Sequence, residues 1–261
     1  MAKRYEKKKE AARIAQQQQA REQRRRQLIL GGTIVGVVLV LAAVVGVGFY
    51  LNQGYPVNKP KAEIEDGGVV LSEGPITVDL YEDFICPACK SFTDQNGEQL
   101  DKYAADGEIT LRFHPLGLLD NMSSTKYSSR SAAASVCAAD EDKFSEYKTS
   151  LFAEQPPENG PGLTDEKLIE IGEKAEIGGS FSQCVKDEKY RGWVDEQTQK
   201  ATGEGVTSTP MAKVDGEEVE TAQLMQVLDE KIGAGDKEKA DDGKDSGDSE
   251  EGKEEDDSSS D

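Results

Sequence analysis

Histidine and tryptophan each occur once in this chain of 261 residues, and cysteine only four times. That scarcity bears directly on metal chemistry. A structural zinc site needs a second close pair of ligands. Here only Cys86 and Cys89 stand close together, while Cys137 and Cys184 are isolated. No metal and no cofactor is expected. The one histidine, His114, closes an expected strand and reads as a packing residue rather than a ligand or general base. Positive charge is also short: 31 Lys and Arg against 51 Asp and Glu leave a formal net charge of −20. Such an acidic chain argues against nucleic acid as a partner. At 36% the hydrophobic fraction is low for a globular protein, until the chain is divided.

Its two ends account for the difference. Residues 1–27 are basic, with Lys7-Lys8-Lys9 and Arg24-Arg25-Arg26 among them. Between Leu28 and Leu51 no charged residue occurs. As a helix, this run of about 24 residues would reach roughly 36 Å, enough to cross a bilayer with some tilt. A cleaved signal peptide has a shorter apolar core and a small-x-small site directly after it. This run ends instead in Phe49-Tyr50-Leu51, an aromatic pair suited to the interface. A single-pass membrane anchor is therefore expected at 28–51. The positive-inside rule places 1–27 in the cytoplasm and the rest outside. Residues 52–62, with Pro56 and Pro60, read as a linker. At the other end, 234–261 contains no large apolar side chain and is expected to be disordered. One domain remains, at 63–233.

Within it, Ile76-Thr77-Val78-Asp79-Leu80-Tyr81 is rich in β-formers and leads into Cys86-Pro87-Ala88-Cys89. A helix follows, with Cys89, Phe92, Leu100 and Tyr103 on one face. This spacing puts both cysteines in the first helical turn. Pro87 suits that turn, because its missing N–H would have no partner there. The free N–H groups and the positive end of the helix dipole favour an anion, so Cys86 is expected to ionise easily and attack, with Cys89 as the resolving thiol. Half a zinc site and a purely structural disulfide are the competing readings of the pair.

Ile109-Thr110-Leu111-Arg112-Phe113 makes the next strand. A strand–helix–strand unit implies a parallel pair. From about 121 to 203 the pattern is helical, interrupted by Pro156-Pro157 and Gly160-Pro161-Gly162. Thr164 is expected to cap one of these helices. After Gly205, Val206-Thr207-Ser208-Thr209-Pro210 precedes a hairpin turning at Asp215-Gly216. A last helix, capped by Thr221 and stopped by Gly233, closes the domain.

Two separated motifs, Tyr81-Glu82-Asp83-Phe84-Ile85-Cys86-Pro87-Ala88-Cys89 and Gly205-Val206-Thr207-Ser208-Thr209-Pro210, resemble the signatures of the DsbA-like thiol-disulfide oxidoreductases. The order of elements between them is similar too, and the layout resembles that of membrane-tethered forms from Gram-positive, especially actinobacterial, cells. The resemblance implies an α/β thioredoxin fold with an inserted helical subdomain. It also implies a cis Thr209–Pro210 bond facing Cys86 and Cys89, with the backbone there pairing to a substrate strand. Family members commonly carry an acid six positions before the first cysteine, and Leu80 stands there. Glu82 and Asp83 are the candidate substitutes as proton relay, unless both are surface acids.

If the domain lies in an oxidising compartment, Cys137 and Cys184 are expected to form a structural disulfide. Two buried thiols or a relay to Cys86–Cys89 are the alternatives. The implied activity is oxidation of exported proteins with free cysteines, followed by reoxidation through a membrane partner. A reductase or isomerase, or a non-catalytic holdase with structural disulfides, would share these residues.

Overall fold

The computed structural model describes residues 39–46 and 54–242. The basic segment 1–27, most of the expected anchor 28–51 and the tail beyond 242 lie outside the described residues. Residues 39–46 are helical, and no helix among the described residues is long and apolar enough to cross a membrane. The chain divides at Gly54 into two compact units, and the second holds the sheet and all four cysteines.

At the centre of that unit is a six-stranded mixed sheet. The strands are β1 (Ile64–Glu65), β2 (Gly68–Val70), β3 (Ile76–Glu82), β4 (Ile109–Pro115), β5 (Met211–Val214) and β6 (Glu217–Val219), in the order β1-β2-β4-β3-β5-β6. Only β3 and β4 run parallel, joined by helix α1 (Pro87–Ala105); the other pairs are antiparallel. Alternation along β3 sends Val78 and Leu80 to one face and Asp79 and Tyr81 to the other. All four are buried. A strand covered on both faces and paired on both edges gives the turn after it a rigid base.

Between β4 and β5 comes the helical insertion: a short 3₁₀ turn (Asp120–Met122), α2 (Tyr127–Ala139), α3 (Phe144–Ala153), α4 (Asp165–Lys174), α5 (Phe181–Lys186) and α6 (Arg191–Gly203). Helix α2 is buried at nearly every position, because Ala and Ser let its neighbours come close. The hydroxyls of Ser131 and Ser135 donate to carbonyls one turn back, at 2.7 and 2.8 Å, so their burial leaves neither hydroxyl orphaned. A Cys137–Cys184 disulfide ties α2 to α5. Thr164 caps α4 by accepting the Lys167 N–H at 3.3 Å.

Two expectations are corrected, and a hairpin not read from the sequence is added. The linker 52–62 is not a free tether, since residues from Tyr55 onward lie on the insertion. Asn58 donates to the Lys189 carbonyl at 2.8 Å, and Asp140 accepts the N–H groups of Lys61 and Ala62 at 2.7 and 3.1 Å. Gly192 makes room: a Cβ there would meet the carbonyl oxygens of Tyr55 and Pro56 at 2.4 Å. A first hairpin, β1–β2, turns at Asp66-Gly67 with φ of 51° and 91°. It uses the same dipeptide as the expected turn at Asp215-Gly216. The last helix, α7 (Leu224–Asp242), starts after a turn at Thr221 and runs through Gly233, so 234–242 are helical rather than disordered. Ala, Lys and Glu beyond the glycine are strong helix formers.

Candidate active site

β3 ends at Glu82 and α1 begins at Pro87, so only residues 83–86 make the turn between the sheet centre and the helix. Asp83 organises it. Its carboxylate accepts the N–H of Ile85 at 3.1 Å and that of Leu119 at 2.9 Å, and its own carbonyl accepts from Cys86 at 3.0 Å. Cys86 is thereby set as the extended residue before α1, with φ −72° and ψ 116°, and Pro87 takes the first helical position. No side chain caps this helix end. Its free N–H groups are available to the Cys86 sulfur.

The two thiols differ sharply in environment. Cys86 is 6% exposed and Cys89 0%. A hydrogen bond from the Cys89 thiol, helped by the N–H groups of Cys89 and Ala88 and by Thr209, brings the Cys86 pKa down to about 6 despite burial. Burial pushes the Cys89 thiol far up, and the neighbouring Cys86 and Glu82 add to the rise. Cys86 is therefore a thiolate at neutral pH and Cys89 a thiol. The Asp83 N–H donates to the Cys89 sulfur at 3.5 Å.

The loop before β5 closes the site from the other side. The Thr209–Pro210 bond is cis, and the Cys86 thiol donates to the Thr209 carbonyl at 3.3 Å. The Thr209 hydroxyl is buried and otherwise unpartnered, so it becomes a donor once Cys86 loses its proton. Cys86, Cys89, Pro87, Ala88, Thr209 and Pro210 thus meet at one place, although 123 positions separate Cys86 from Thr209. Cys137 and Cys184 do not join them; they sit paired within the insertion.

Glu82 and Asp83 are no surface acids: they are 1% and 0% exposed. Burial raises Glu82 to about 8, against the opposing pull of Lys148 and Thr93. Asp83 is raised to about 7 by burial, opposed by its two backbone donors. The geometry separates their roles. Both Asp83 oxygens are spent on backbone N–H groups, whereas Glu82 meets only the Thr93 hydroxyl, at 3.4 Å from each oxygen. A cleft of about 410 Å³ lies between α1 and α3, lined by Lys90, Thr93, Lys148 and Phe152.

Asp79, on the opposite face of β3, is engaged elsewhere. It accepts from Arg112 at 2.7 and 2.8 Å and faces His114 at 2.8 Å. Burial opposes ionisation there, but His114 and Arg112 hold its carboxyl below the usual range. His114 also stacks on Tyr81 at 4.2 Å, so it packs, as expected of it. No metal-binding cluster occurs among the described residues. Thr93, Lys148 and Gln155 join the site without having been singled out by the sequence motifs. Lys148 is a lysine on the inner face of α3, 5% exposed, and that misplaced charge is the one signal available for it.

Known proteins match this domain. The thioredoxin family model matches residues 71–233, well over half of the chain. Oxidised DsbA of Mycobacterium tuberculosis is 31% identical, with a TM-score of 0.55, over 68% of this chain and 91% of that one. Reduced DsbG, a disulfide bond oxidoreductase of the same organism, is 30% identical, with a TM-score of 0.53, over 68% and 84%. MdbA of Corynebacterium diphtheriae shares the fold at a TM-score of 0.56 and 19% identity, over 68% and 96%. Among curated proteins, the serine/threonine-protein kinase PknE of M. tuberculosis is 33% identical over 131 residues. That match takes in 47% of this chain and 23% of the kinase, so the chain spans under a quarter of that relative. The region matched by the family model takes in the two-thiol helix start, the facing Thr209–Pro210 loop and the helical insertion. The chain belongs to the thioredoxin family and is a thiol-disulfide oxidoreductase of the DsbA type.

Proposed function

We propose that this chain is an oxidase, donating the Cys86–Cys89 disulfide to exported proteins on the outer side of a membrane. The observation that carries this reading is the contrast between the two sulfurs. A thiolate held at the helix start, over a fully buried thiol, stabilises the reduced pair and so makes the disulfide a strong oxidant.

In the reaction, a substrate thiolate attacks the Cys86 sulfur. The Cys86–Cys89 bond breaks and a mixed disulfide forms. Cys89 leaves as a thiolate in an environment hostile to negative charge. Glu82, protonated at neutral pH, supplies the proton, and the Thr93 hydroxyl and the α1–α3 cleft return one from solvent. A second substrate thiolate then attacks the substrate sulfur of the mixed disulfide, and Cys86 departs as its stabilised thiolate. Two electrons have passed from two substrate thiols to Cys86 and Cys89. The Thr209 carbonyl and its neighbours hold the substrate backbone beside Cys86.

The location rests on the basic segment 1–27, the uncharged run 28–51 and the Cys137–Cys184 pair, a bond typical of oxidising compartments. The run would anchor the domain, and a redox partner in the same membrane would reoxidise it.

Mixing the oxidised protein with a reduced, unfolded polypeptide rich in cysteine tests the proposal. One disulfide is expected to pass to the polypeptide per chain, and none from a Cys86→Ser variant. If the protein leaves the thiols untouched but reduces a disulfide-bonded protein such as insulin when supplied with dithiothreitol, it is a reductase. If neither reaction occurs, the holdase reading replaces both.

A further inference from the structure

Gln155 stands 69 residues from Cys86, in the turn that ends α3, yet its side chain reaches the active-site turn. Its Nε2 donates to the Phe84 carbonyl at 3.0 Å and to the Cys86 carbonyl at 2.9 Å, using both protons of one amide. The side chain is aimed by its surroundings. The Gln155 N–H donates to the Phe152 carbonyl at 3.3 Å, and Pro156-Pro157 follow at once. The Phe152 ring packs on Phe84 at 5.0 Å, so the same corner of the insertion grips the turn by an apolar and a polar contact together.

We propose that Gln155 is a positioning residue for Cys86, through which the helical insertion controls how readily that sulfur carries negative charge. The physical reason lies in the two carbonyls. Each oxygen bears partial negative charge in the turn that carries the sulfur, and the Cys86 oxygen has only the 3.2 Å bond from Lys90 N–H otherwise. Donors placed on these oxygens offset their repulsion of a thiolate. They also fix the direction of the Cys86 carbonyl, in the last peptide unit before α1, whose Ala88 and Cys89 N–H groups serve the sulfur. The proposal rests on Cys86 being the attacking thiol and is indifferent to the direction of exchange.

Gln155→Leu keeps the bulk and removes both donors. The readout is the Cys86 thiolate, followed by its absorbance near 240 nm against pH in the full-length reduced protein. At pH 6 the parent is about half ionised, and the variant's thiolate fraction is expected to fall about twofold. Its equilibrium with glutathione should move about threefold toward the disulfide form. A merely structural loss would lower the melting temperature and move neither quantity. Gln155→Asn, which withdraws the amide by one methylene, is expected to shift both readouts the same way and serves if the leucine variant does not fold. An unchanged titration and glutathione equilibrium in a folded variant would overturn the proposal. Absence of any low-pH thiolate in the parent would instead overturn the attacking-thiol reading on which it rests.

Discussion

Replacing Glu82 by glutamine should make the protein more stable and a poorer catalyst. The sign follows from the displaced titration. An unfolded Glu82 ionises near its ordinary 4.5, while the native one stays protonated to about 8. Folding therefore binds a proton between these values, and stability falls as pH rises through that window. At pH 7 the penalty is about 3 kcal/mol for so buried a group. A glutamine at this position would have nothing to ionise. The variant should melt about 5–10 °C higher at pH 7, with the gain shrinking toward pH 4.5. Exchange at neutral pH should slow on the order of 10²-fold, because an amide cannot deliver a proton to the departing Cys89. Thermal melts and stopped-flow exchange across pH 4.5–9 check both halves. Equal melting and equal rates at every pH would remove Glu82 from the mechanism.

Removing the Cys137–Cys184 bond should act oppositely, on stability alone. Its ends are 47 residues apart, a loop worth about 4 kcal/mol in the chain-entropy account. A Cys137→Ala, Cys184→Ala variant is expected to melt about 10 °C lower while still transferring one disulfide per chain. A fall in the disulfides delivered, with Cys86 and Cys89 intact, would show that the second pair relays electrons.

The residues around the site differ widely in how legible they are from sequence. The Cys86-Pro87-Ala88-Cys89 turn and the Thr209-Pro210 loop are readable because local rules and a family pattern agree on them. Glu82 is visible as an acid near the thiols, but its burial is not. In the fold its carboxyl meets Thr93 of α1 and lies within reach of the charge of Lys148, more than 60 positions later in the chain. Gln155 carries no local signal at all; its meaning exists only once the insertion folds back on the Phe84 turn. The segment 55–62 reads as a linker for a similar reason. Prolines and charges describe a linker well until Asp140 and Gly192 supply a seat for it. At Gly233 the local rule itself fails, since helix-forming residues on its far side outweigh the glycine.

Whether the reduced pair is the favoured state is tested most directly by the reduction potential of Cys86–Cys89. It is best measured against glutathione in the Cys137→Ala, Cys184→Ala variant, so that a single couple is read. A thiolate stabilised at the helix start predicts a value near the oxidising end, about −120 mV. A value near about −270 mV, that of a thioredoxin-like reductase, would contradict it.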